Sequence, residues 1–157
     1  MNSTALRASK SKDDIIFISE AHEKFYYEKL KEVPYQDEYH KAFCYCIGIS
    51  NDTRKHVDSI YDFNTGCVKT ECLQAGWQTS GSLKVVRMAF NLYCSGTPSV
   101  DEDTDDMEEQ LRECKQYTVE ELFCCIYAPF FWQAIQLRYP EYASYDRKLY
   151  DLLGGSD

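Results

Sequence analysis

Apolar positions recur three and four residues apart along most of the chain, and the breaks between them fall at residues that start or stop helices. Ser19 is placed to cap a first helix on which Ala21, Phe25, Leu30 and Val33 repeat at helical spacing, and Pro34 stops it. Ahead of it, Ile15-Ile16-Phe17-Ile18 reads as a short buried segment. A second helix opens near Asp37, carries Tyr39, Phe43, Cys46 and Ile47 on one stripe, and ends near Ile49. Ser50 or Asp52 starts a third, with Val57, Ile60 and Tyr61 inward and Asn64-Thr65-Gly66 closing it. Residues 68–75 form a further short helix with Gly76 as its C-cap.

Trp77-Gln78-Thr79-Ser80-Gly81-Ser82 is a loop leading into 83–94, where only Lys84, Arg87 and Asn91 interrupt an apolar surface. Such a helix belongs at the centre of the fold. Thr118 and Glu121 form a capping box opening a helix through Leu122, Phe123, Ile126 and Tyr127. Pro129 breaks it and is well placed to begin another, which runs through Phe130-Phe131-Trp132 to Arg138 and ends before Pro140. A last helix from Ser144 would bury Leu149, Leu152 and Leu153. No hairpin dipeptide separates alternating runs, so the expected fold class is all-α. The expected architecture is a compact single-domain bundle of about six or seven short helices. It spans 14–155, after a disordered polar leader over 1–13.

With 157 residues, 44% of them apolar and 15% aromatic, the chain is long enough to bury its own core. Most of its 13 tyrosines and the Phe130-Phe131-Trp132 cluster are expected to fill that core. Polar residues interrupt every apolar run before the roughly 20 residues that a membrane span needs. The leader has no apolar core of the signal-peptide kind, which points to the cytoplasm. Six of the eight cysteines fall in apolar helical stretches, where a free thiol behaves as a small hydrophobe, so reduced cysteines are expected.

Charge is uneven. The net value is -9, which disfavours direct binding to nucleic-acid phosphates. Within an acidic segment at 97–113 stand Asp101, Glu102, Asp103, Asp105, Asp106, Glu108, Glu109 and Glu113, with Arg112 the one base among them. Its early part is expected as a solvated loop, turning helical from Met107. Asp101-x-Asp103-x-Asp105 imitates the start of a calcium loop, but Asp106 stands where glycine is needed and Arg112 where a bidentate Glu is needed.

Other chemistry is sparse. His40 and Cys44 lie one helical turn apart and could share a metal, yet two ligands make no site, so no metal or cofactor is expected. His22, His40 and His56 sit in no nucleophile motif, and glycine-rich phosphate loops are absent. Lys84, Arg87 and Asn91 share one face, which needs either an internal carboxylate or a role as a polar recognition groove. Arg138 is expected as a structural cap.

Several stretches together resemble a domain family of unknown function from Gram-positive gut anaerobes and their mobile elements. They are Ser19-Glu20-Ala21-His22-Glu23-Lys24-Phe25-Tyr26, Asp52-Thr53-Arg54-Lys55-His56 with Ile60-Tyr61-Asp62, Trp77-Gln78-Thr79-Ser80, Arg87-Met88-Ala89-Phe90-Asn91-Leu92-Tyr93, and the run from Phe130 to Tyr142. The resemblance implies a bacterial cytoplasm and no particular activity. The favoured expectation is a non-enzymatic protein-binding module, an inhibitor or regulator of anti-CRISPR or other anti-defence type. It would engage a basic nucleic-acid-binding nuclease through Asp101, Glu102, Asp103, Asp105, Asp106, Glu108 and Glu109. The alternative is a small enzyme or ligand-binding protein with a pocket around His56, Trp77, Arg87 and Asn91. Composition does not set the oligomeric state.

Overall fold

Helices in this protein begin where a short polar side chain can accept the first unpaired amide. The computed structural model describes residues 15–101 and 103–143, together with Leu152 and Gly154. Among them it contains eight α-helices: α1 (Glu20–Lys29), α2 (Glu38–Ile49), α3 (Asn51–Lys55), α4 (Val57–Ile60), α5 (Ser80–Cys94), α6 (Met107–Lys115), α7 (Val119–Phe123) and α8 (Ala128–Arg138). Ser19, Asp37, Ser50, Thr79, Asp106 and Thr118 each accept a backbone N–H in the first turn that follows. Pro129 occupies the first turn of α8, where its missing N–H costs nothing. The all-α class therefore stands. The leader at 1–13 and Glu102 lie outside the described residues, as does nearly all of the helix expected from Ser144; Leu152, expected inside, is exposed.

Several local readings change. On α1 the inward residues are His22 and Tyr26, while Ala21 is exposed, and the helix stops at Lys29. A minimal antiparallel ladder joins β1 (Tyr61–Asp62) to β2 (Cys67–Val68), with Gly66 in the left-handed region at φ 73° making the return. That ladder takes up Cys67 and Val68, so a 3₁₀ turn over Thr70–Gln74 replaces the helix expected over 68–75, and Ala75 ends it instead of Gly76. Helix α5 starts earlier, at Ser80, because Thr79 and Ser82 form a reciprocal capping box. Helix α7 stops at Phe123 with Cys124 as its C-cap, short of the Ile126 and Tyr127 expected on it, and Ile126 is left exposed.

Every residue of α2 from Ala42 to Ile49 is buried, and the helix packs against α1, α3, α5 and α8. The sequence placed 83–94 at the centre; α5 shares that place with α2. Burial down to the last turn leaves the α2 carbonyls without water, so neighbouring side chains must satisfy them. Thr53 Oγ1 donates to Ile47 O at 2.6 Å, and Arg54 Nη1 donates to Gly48 O at 2.6 Å. His22 Nε2 donates to Tyr45 O at 2.8 Å, while its Nδ1 accepts from Ile18 N at 3.3 Å. Both ring nitrogens are thereby used by the neutral tautomer.

Burial accordingly lowers the His22 pKa to about 4. Between pH 6.5 and 4 the unfolded chain binds a proton that the folded chain refuses, so stability falls on acidification through that window and is unaffected above it. The contribution is on the order of 3 kcal/mol, and the urea midpoint should follow it, with His22→Gln removing the slope. A midpoint that does not move with pH would mean that the imidazole reaches water. Gly48 faces the same ring: a Cβ there would lie 2.5 Å from His22 Cδ2, against the side of a fixed imidazole. Gly48→Ala should therefore cost about 1–3 kcal/mol in equilibrium unfolding.

Candidate functional site

The polar stripe on α5 turns out to be a row of attachments. Lys84 Nζ donates to Glu121 O on α7 at 2.5 Å, and Asn91 Nδ2 donates to Gly96 O at 3.1 Å. Arg87 makes a two-pronged bond to Glu113 on α6, Nε to Oε1 and Nη2 to Oε2, each at 3.1 Å. Ser99 Oγ donates to the same Oε1 at 2.8 Å and sits 2.7 Å from the Tyr117 hydroxyl. Burial pushes that phenol up to about 12, so it keeps its proton and can donate to Ser99. The internal ion pair, one of two open readings of this face, is therefore the one built around Arg87.

Helix α6 hangs from this network and buries none of its own residues. Its polar residues Glu109, Gln110, Arg112 and Glu113, with the C-cap Gln116, line a cleft of about 600 Å³. Opposite walls come from Thr70, Glu71, Leu73 and Gln74 of the 3₁₀ turn, and from Ser99, Val100, Asp101 and Thr104. The apolar positions of the helix, Met107 and Leu111, lie one turn apart on the other side, 69% and 64% exposed. An ordinary surface helix turns its apolar side toward the core; α6 does the reverse.

The acidic segment divides between the cleft and the solvent. Asp103, Asp105 and Glu108 are exposed and enter no ion pair among the described residues. Asp106 is occupied as the cap of α6, accepting from Glu109 N at 3.1 Å, and Asp101 accepts from Asp103 N at 2.9 Å. Asp101 and Glu109 also line the cleft. Among the described acids of this segment, only Glu113 is locked against a base.

Of the four residues of the alternative pocket, Arg87 alone lines the cleft. His56 stacks flat on Trp77, ring centres 4.3 Å apart, and its Nδ1 donates to Asp52 O at 2.8 Å. Arg87 lines the cleft, and Asn91 is used near the end of α5. His40 Nδ1 donates to Asp37 Oδ1 at 2.8 Å, and its Nε2 accepts from Tyr61 OH at 3.2 Å. Cys44 is buried beside it, its thiol pushed up to about 12 by desolvation. Among the described residues no group of three His, Cys, Asp or Glu side chains is arranged to hold a metal ion. All eight cysteines are free, though only Cys44, Cys46 and Cys72 are buried. Arg138 caps another helix than its own, donating from Nε to Leu92 O of α5 at 2.9 Å. No described helix is long and apolar enough to cross a membrane.

Sequence reasoning missed Met107, Leu111, Ser99, Tyr117 and the walls of the cleft. One signal was present for the first two: apolar residues four apart inside a run of acids.

The profile of a family of unknown function (DUF6075) matches residues 12–151. The chain belongs to DUF6075. No curated protein and no solved structure matches it. In this DUF6075 chain the attachment of α6 can be tested directly. Arg87→Ala leaves the Glu113 carboxylate half-buried without its guanidinium, at a local cost of about 1–3 kcal/mol. Backbone amides of α6 should then exchange with deuterium about tenfold faster or more, with α2 unchanged. Equal acceleration in both helices would show that the pair supports the whole fold and not α6 alone.

Proposed function

We propose that this protein is a non-enzymatic binding module that docks a basic partner protein on the outer side of α6. The observation that carries the reading is the inverted helix: Met107 and Leu111 face solvent, while its polar residues face the cleft. Exposed apolar side chains rimmed by polar groups are the usual make-up of a protein-contact patch. The rim here is acidic, with Asp103, Asp105 and Glu108 unpaired among the described residues. Complementary charge would speed encounter with a basic surface, and the apolar pair would add contact area once docked.

A basic nucleic-acid channel is the partner surface that fits best, because a bound acidic ledge would also exclude the phosphate backbone. We therefore favour an inhibitor or regulator of a nuclease, of anti-CRISPR or other anti-defence type. We take the role to be exercised in a bacterial cytoplasm, as the resemblance to proteins of gut anaerobes and their mobile elements would imply.

A photo-crosslinking residue at position 111, and as a control at exposed position 28 on α1, tests the docking side. In host extract, position 111 should crosslink one basic protein at low salt, and position 28 should not. The crosslink should fade with added salt and in the variant D103N/D105N/E108Q. Labelling at both positions alike, or at 111 regardless of salt and charge, would remove α6 from the mechanism.

A further inference from the structure

The cleft under α6 has a chemistry of its own. Three carboxylates face it from three separate stretches of chain: Glu71 from the 3₁₀ turn, Asp101 from the loop and Glu109 from α6. None of the three enters an ion pair among the described residues, and Arg112 is the one lining guanidinium that Glu113 does not hold. Between them lie Leu73 and Val100, with Thr70, Gln74 and Gln116 as neutral hydrogen-bonding groups. Acids adjacent in sequence splay outward into water, as Asp103 and Asp105 do; these converge on one cavity from opposite walls. A volume of about 600 Å³ is in the range of small-molecule sites. Those sites are usually apolar, whereas here the walls are mostly polar and carry an excess of negative charge.

The geometry points to a binding site for an aliphatic polyamine, a flexible cation with ammonium groups separated by short methylene spacers. Ammonium groups at its ends and middle would each meet a carboxylate on a different wall, forming charge-assisted hydrogen bonds. The spacers would lie on Leu73 and Val100. Gln74 and Gln116 would take up remaining N–H donors through their carbonyl oxygens. The Arg87–Glu113 pair holds α6 at the distance that sets the width of the cleft. This site uses Glu71 and Glu109, whereas the docking side of α6 uses Asp103, Asp105 and Glu108, so the two stand or fall separately.

Spermidine is the probe. Calorimetric titration of the full chain at low ionic strength should give saturable one-site binding, with side-chain amide shifts in the NMR spectrum confined to the cleft-lining Gln74, Gln110 and Gln116. Glu71→Gln with Glu109→Gln should weaken binding at least about tenfold, because two charge-assisted contacts are lost. D103N/D105N/E108Q removes one more charge and should leave affinity within about twofold, since those groups are screened from the cleft by water. All five positions are exposed, and far-UV circular dichroism will confirm that both variants are folded. Equal losses in the two variants would reduce the effect to diffuse attraction by a net negative protein and overturn the site, as would the absence of saturable binding in the wild type.

Discussion

A helix that is buried to its final turn must find protein partners for carbonyls that water would otherwise satisfy, and α2 is such a helix. Its solution determines what surrounds it. Thr53 and Arg54 bond Ile47 and Gly48, which requires the chain to turn back at once into α3. His22 bonds Tyr45 O from the other side, which seats α1 and, through Ile18, the extended segment before it. Tyr45 in turn donates its hydroxyl to Ile16 O, and Gln133 of α8 accepts from Ile16 N. Four segments are thus positioned by polar contacts radiating from one apolar helix. Glycine at 48 is part of the same arrangement, because the His22 ring leaves no room for a side chain there.

The second half of the molecule solves the complementary problem. Helix α5 is apolar except for one stripe, and that stripe cannot be pressed into the core unpaired. Lys84, Arg87 and Asn91 meet this constraint by reaching across to α7, to α6 and to the turn after Cys94. Helix α6 is consequently held by its polar side. Once the polar side faces inward, the apolar residues have nowhere to go but outward, and the exposure of Met107 and Leu111 follows from the position of Arg87. A patch made in this way is costly unless something covers it, which is why it weighs more than scattered exposed apolar residues would.

Local signals of the sequence were read well where a single residue decides the outcome. Ser19, Asp37 and Thr118 cap the helices expected of them, and Pro129 opens α8. Faces were read less well. Ala21 and His22 differ by one position, and periodicity alone favours the alanine; what puts the histidine inside is a carbonyl 23 residues away. The β1–β2 ladder spans only two residues on each side, too short for any alternation to register. For the candidate site, the acidic segment and Arg87 were legible, but their relation was not. Glu113 looked like one acid among eight until the fold brought it within reach of Arg87 and Ser99.

Polar residues that the fold itself uses make poor candidates for chemistry elsewhere, and this sorts the conspicuous stretches of the chain. Asp52-Thr53-Arg54-Lys55-His56 serves the end of α2, the cap of Trp77-Gln78-Thr79-Ser80 starts α5, and Arg138 finishes α5. What these stretches have in common is therefore architecture. Left over are groups with no structural partner among the described residues: Glu71 and Glu109 in the cleft, and Asp103, Asp105 and Glu108 outside it. Like charges repel one another, and a fold gains nothing by collecting unpaired carboxylates on facing walls. Their convergence around a cavity, and their alignment beside an outward apolar pair, are both relieved by the same kind of ligand, one that brings positive charge. Whether that charge arrives on a small amine or on a protein surface is decided by geometry. A cleft walled on several sides suits the former, and an exposed helix side suits the latter.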